Sequence, residues 1–106
     1  YFSVVPNGDI YPCHQFAGDK EFRMGNVFEG KPDKTIRDRF KNSCLFTRKK
    51  CENCFAKFIC SGGCSANNYH FNGDVNEPYE ITCEMMKKRI EDAMHILAVR
   101  KEREAK

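Results

Sequence analysis

The stretch Cys51-Glu52-Asn53-Cys54-Phe55-Ala56-Lys57-Phe58-Ile59-Cys60-Ser61-Gly62-Gly63-Cys64 decides how this chain folds, because it gathers four of the seven cysteines into a C-x2-C-x5-C-x3-C array. A C-x2-C pair sets two thiols on one side of a tight turn. A third Cys six residues later lets one short loop offer three ligands to one centre. The fourth must come from elsewhere, and Cys83, entering a long helical pattern, lies suitably far along the chain. Cys13 and Cys44 precede the array. Soft thiolates select zinc or iron–sulfur clusters over hard ions. Ser61-Gly62-Gly63 is a loop whose missing side chains let the backbone approach something bulky.

The rest of the composition leaves folding to these cysteines. Leu, Ile, Val and Phe supply 22 of 106 residues, close to the fraction of roughly 20% below which chains tend to stay disordered. Such a thin apolar stock predicts one small domain organised by ligated metal more than by hydrocarbon. An odd number of Cys argues against a full disulfide framework. No run approaches the ~18 apolar residues of a membrane span, and the N-terminus lacks the order of a signal peptide. A cytoplasmic protein without a membrane partner is expected. The chain begins Tyr1-Phe2, with a strand pattern already under way, which predicts a piece of a longer protein.

Outward from the array, the pattern predicts a small α+β fold. Residues 2–5 and 9–12 flank Pro6-Asn7-Gly8-Asp9, a hairpin turn. A second hairpin is expected from residues 13–16 pairing with 22–27 around Ala17-Gly18-Asp19-Lys20, with Cys13 at the junction. Pro32-Asp33 starts a charged helix with Ile36 and Phe40 on one stripe, ending near Asn42-Ser43. Residues 31–50 carry eight Lys/Arg against two Asp, read as a solvated face or as a docking surface for an acidic peptide or for the parent protein. Residues 64–71 form a short helix. A long helix runs from about residue 79 to 99, with Met86, Ile90, Ala93, Met94 and Leu97 as core positions. Residues 1–30 thus hold the hairpins and first ligand, 31–64 the helix and array, and 65–99 the helical end. Residues 100–106 are a polar tail that frays or extends the helix exposed.

Seven thiolates suit two four-sulfur sites with one position missing. Two closed zinc sites would need a histidine, but His14, His70 and His95 lack the spacing of a finger and are read as surface or packing residues. A cubane cluster tolerates three Cys, because its remaining iron accepts water or an outside ligand.

The array, with Cys83 after it and Cys13 and Gly25 before it, resembles the SPASM domain, the C-terminal extension of radical S-adenosylmethionine enzymes that modify peptides. The surrounding text is similar to the thioether-forming maturases of six-cysteine peptides (SCIFF): Tyr11-Pro12-Cys13-His14-Gln15-Phe16, Met24-Gly25-Asn26-Val27, Ala56-Lys57-Phe58-Ile59-Cys60-Ser61-Gly62-Gly63-Cys64 and Phe71-Asn72-Gly73-Asp74. The likeness runs from Pro6 to about Ala98. It implies two auxiliary [4Fe–4S] clusters, an outer one on Cys51, Cys54, Cys60 and Cys83 and an inner one on Cys13, Cys44 and Cys64. The family pattern has a Cys five residues after the glycine, where this chain has Gly30, so Cys44 stands in and one inner iron is left open for a substrate cysteine.

The same resemblance implies a missing N-terminal barrel with S-adenosylmethionine and a third [4Fe–4S] cluster. This chain has no C-x3-C-x2-C triplet, so alone it is inactive. The barrel would generate a radical on an acceptor residue of a Cys-containing precursor peptide, and the peptide thiol would close a thioether. Two other readings stand beside this one. One is a zinc-stabilised module placing the basic 31–50 segment on nucleic acid, a partner the leading reading does not require. The other is an electron-relay domain with both clusters closed, His14 replacing the missing thiolate.

Overall fold

Pro6, Asn7 and Gly8 reverse the chain as their composition predicts. In the computed structural model, which describes residues 1–106, β1 (Ser3–Val4) pairs antiparallel with β2 (Asp9–Tyr11), Ser3 opposite Tyr11 and Val4 opposite Ile10. Gly8 takes φ +88°, and a Cβ there would fall 2.9 Å from Asn26 Oδ1, so conformation and space both demand glycine. β3 (Gly25–Asn26) adds to the other side of β2, giving a three-stranded antiparallel sheet ordered β1-β2-β3.

The second antiparallel pair differs from the expected hairpin. Residues 25–26 pair with Asp9 and Ile10, not with 13–16. His14–Phe16 and Lys20–Phe22 are instead single 3-10 turns, the second capped by Asp19, whose carboxylate accepts from the Glu21 amide at 3.0 Å. The cause is the pair Phe16 and Phe22. Both are almost fully buried, their ring centroids 4.2 Å apart, and two tight turns drop both rings into one core with Tyr11 and Ala66.

α1 (Lys34–Lys41) lies where the sequence puts it. Asp33 caps it, accepting from the Thr35 and Ile36 amides at 2.7 and 3.2 Å, and the helix ends at Asn42. Ile36 and Phe40 lay their stripe against the aromatic core, Phe40 edge-on to Phe16 at 5.4 Å. Next come α2 (Lys57–Cys60), a single turn, and α3 (Ser65–Asn72), which starts directly after Cys64.

α4 (Glu80–Glu104) completes a small α+β fold. Its first turn is held by two asparagines of α3. Asn68, buried, donates to the Val75 carbonyl at 3.2 Å and accepts from the Tyr79 amide at 3.1 Å, while Asn72 donates to the Glu77 carbonyl at 2.9 Å. Of the expected core positions on α4 only Ile90 is buried; Met86 is half-buried, and Ala93, Met94 and Leu97 are exposed. Twenty-five helical residues reach about 37 Å, and the molecule measures 64 × 28 × 19 Å. The second half of α4 therefore outruns the body, and no element packs on it. Residues 100–104 continue that helix without a break at 99. No helix is long and apolar enough to cross a membrane.

Candidate functional site

Four cysteines from separate elements surround one cavity. Cys51 closes a 3-10 turn (Lys49–Cys51), Cys54 follows it, Cys60 ends α2, and Cys83 sits one turn into α4. All four line a cavity of about 420 Å³. The array supplies three of them locally, as C-x2-C-x5-C predicts. The fourth arrives because Asn68 and Asn72 pin the start of α4, and Lys50 forms an ion pair with Glu77 across the same join. No three His, Cys, Asp or Glu side chains are gathered closely enough to hold a single metal ion. The thiols stand around a space instead of converging on a point.

Electrostatics match that arrangement. Burial pushes the Cys51 thiol above its ordinary range, the Arg48 charge opposing it and Cys54 and Cys60 adding to the rise. Cys83 is raised first by burial, then by Cys51 and Cys60, with Lys87 opposing. Burial and the neighbouring sulfurs thus disfavour the thiolate at Cys51 and Cys83 while no cation stands among them.

Cys13, Cys44 and Cys64 occupy a different setting. Each is the N-cap residue of a helical turn, preceding His14–Phe16, Leu45–Thr47 and α3 respectively. Backbone N–H groups at such a start can bond a capping side chain, and neither Cys13 nor Cys64 accepts such a bond. Cys44 differs. The amides of Phe46 and then Thr47 hold its thiol below the ordinary range, and Thr47 Oγ1 accepts from the Cys44 amide at 3.1 Å. Gln15 Nε2 donates to Cys64 Sγ at 3.6 Å, bringing the turn after Cys13 beside Cys64. The structure thus joins the neighbourhoods of these cysteines without gathering the three sulfurs. Cys64 is absent from the 420 Å³ cavity and instead lines a neighbouring one of about 220 Å³, together with Cys60 and Cys83. Gly30, at φ +96°, lies exposed in the turn before α1.

No disulfide forms among the seven cysteines. His14 is exposed and bonded to the Tyr1 hydroxyl at 3.2 Å; His70 packs its ring against Phe16, and His95 is exposed. The histidines are surface and packing residues, as read from sequence.

One buried residue beside the array escaped the sequence. Arg48, in the stretch read as a solvated face or a docking surface, is 3% exposed. What the Gly62-Gly63 backbone approaches is its guanidinium: a Cβ on Gly62 would fall 2.6 Å from Arg48 Nη1. The signal was an arginine flanked by Cys44 and Cys51, with a Gly-Gly pair in the same array to receive it.

A cluster bound by thiolates fits this chain on two counts: four thiols around one cavity, and a buried guanidinium that forms no ion pair. No family model matches the chain. An uncharacterized protein of Archaeoglobus fulgidus is 30% identical over 103 residues, covering 92% of this chain and 24% of that protein. The chain thus spans about a quarter of the length of this relative.

Proposed function

We propose that this chain is the auxiliary iron–sulfur domain of a radical S-adenosylmethionine enzyme that forms Cys-derived thioethers in a ribosomally made peptide. The observation that carries the reading is the meeting of Cys51, Cys54, Cys60 and Cys83 at one cavity, since Cys83 is nineteen residues beyond Cys64 and nothing local brings it back. These four would hold an outer [4Fe–4S] cluster, and Cys13, Cys44 and Cys64 an inner one with an open iron. Bound clusters supply electron transfer and, at the open iron, a Lewis acid for a thiolate.

The chain's own residues set the conditions for that chemistry. Backbone amides of Phe46 and Thr47 lower the Cys44 thiol from its ordinary range and so favour its thiolate, the form that ligates. Exposure of Cys44 and Cys64 leaves this group open to a peptide. Burial of Cys51 and half-burial of Cys54, Cys60 and Cys83 shield the other. Free thiols in this number suit a reducing cytoplasm. Catalysis would require the barrel domain, and the partner would be a Cys-containing precursor peptide.

Anaerobic reconstitution with iron and sulfide tests this. The expected product is brown, carries about eight iron atoms per chain and gives two reduced-cluster signals in electron paramagnetic resonance. A Cys-containing peptide should shift one signal, and its Ser counterpart neither. A colourless protein that takes up zinc in preference would overturn the reading in favour of a zinc module. Two closed clusters indifferent to the peptide would leave an electron relay.

A further inference from the structure

Arg48 is a cation buried among neutral partners. Its Nη1 donates to the Gly62 carbonyl and to the Gly63 carbonyl at 3.2 Å; its Nη2 donates to Ser43 Oγ at 3.1 Å and Ser65 Oγ at 2.8 Å. No carboxylate pairs with it. Its Nε is buried with no hydrogen-bond partner of any kind. Hydroxyls and carbonyls satisfy four donor contacts but do not neutralise a charge, and a desolvated guanidinium without an anion is unfavourable. An unpaired buried cation with a spare donor points to an anion that arrives from outside the protein atoms.

The identity of that anion follows from where the contacts fall. Ser43 adjoins Cys44, Ser65 adjoins Cys64, and Gly62 and Gly63 lie between Cys60 and Cys64. Arg48 itself stands four residues after Cys44 and three before Cys51. One side chain therefore bonds two carbonyls and two hydroxyls of residues close to cysteines of both groups. Gly62 is fitted to it, its φ of +87° and lack of Cβ leaving room for the guanidinium.

We infer that Arg48 is a positioning residue shared by both cysteine groups, fixing their loops from one buried point and placing its charge between the thiolate-bound clusters. The inference rests on the cluster reading above and adds to it a single electrostatic element common to both sites. A buried positive charge near a cluster favours its reduced, more negative state, so Arg48 raises both reduction potentials together.

The test compares wild type with Arg48→Lys and Arg48→Gln, each reconstituted anaerobically with iron and sulfide, with iron counted and both potentials followed by electron paramagnetic resonance. Lys keeps the charge and loses the planar fork; Gln loses the charge. Both potentials should fall in each variant, further in Gln, with Lys retaining most of its iron and Gln losing iron from both sites. Unchanged potentials in an iron-replete Lys variant would overturn the electrostatic role and leave Arg48 a structural clamp. A shift in one signal alone would overturn the sharing. Should the Gln variant fail to fold, the Lys variant decides. If wild type takes up no clusters, the functional reading falls and this inference with it. If wild type takes up both and the variants match it, this inference alone falls.

Discussion

Cys51, Cys54, Cys60 and Cys83 ring a cavity, whereas Cys13 packs against an aromatic core. Around the first group Phe55, Phe58 and Ile59 point outward, 60, 71 and 69% exposed. In that core, Phe16, Phe22, Phe40 and Tyr69 interlock at centroid distances of 4.2 to 5.9 Å. On the cluster reading proposed above, the first half depends on what its thiols bind, whereas interlocked side chains hold the other.

Metal removal gives the largest expected contrast. Binding free energy in small thiolate sites is of order 10 kcal/mol and counts as folding free energy. Chelation should melt residues 49–64 and the start of α4 while β2 and α3 keep their amide protection, as hydrogen exchange with mass spectrometry would reveal. Equal protection in both halves of the apo chain would erase the distinction.

Truncation of the aromatic core probes the other side. Phe22→Ala should cost about 3–5 kcal/mol and unfold the apo protein, which a thermal melt by near-ultraviolet circular dichroism measures. A loss below 1 kcal/mol would mean that hydrocarbon does not hold this half either.

Single-ligand substitutions divide the iron. Cys83→Ser should remove about half of it and one paramagnetic signal, leaving the signal assigned to Cys13, Cys44 and Cys64. Cys64→Ser should remove the other signal and, because Cys64 shares a cavity with Cys60 and Cys83, broaden the first. Loss of the same signal in both variants would break the division of the array.

The smallest effect is one of reactivity. In the metal-free chain the Cys44 thiol is held down by the Phe46 and Thr47 amides, while burial holds Cys83 up. The thiolate is the nucleophile, so alkylation of Cys44 should reach its plateau at lower pH than a free thiol, and that of Cys83 at higher pH. Peptide mapping after iodoacetamide at a series of pH values reads both. Coincident profiles would show that the N-cap setting confers nothing.

The sequence alone determined what depends on neighbours a few residues apart. Asn7-Gly8 fixed the first turn, Asp33 and Asn42 bounded α1, and C-x2-C-x5-C placed three thiols in one loop, because φ preferences, caps and tight turns act locally. Tertiary structure decided the rest. Phe16 and Phe22 turned an expected strand pair into two 3-10 turns because burying both rings outweighs a short ladder. α4 carried the helical spacing of a core helix, yet Ala93, Met94 and Leu97 stay exposed because no other element reaches them; periodicity records a face, not what covers it. Cys83 joined the array through Asn68 and Asn72, and Arg48 left a basic stretch for the interior because Gly62 made room. Those outcomes depend on which distant segments meet, and that is set by packing across the whole chain.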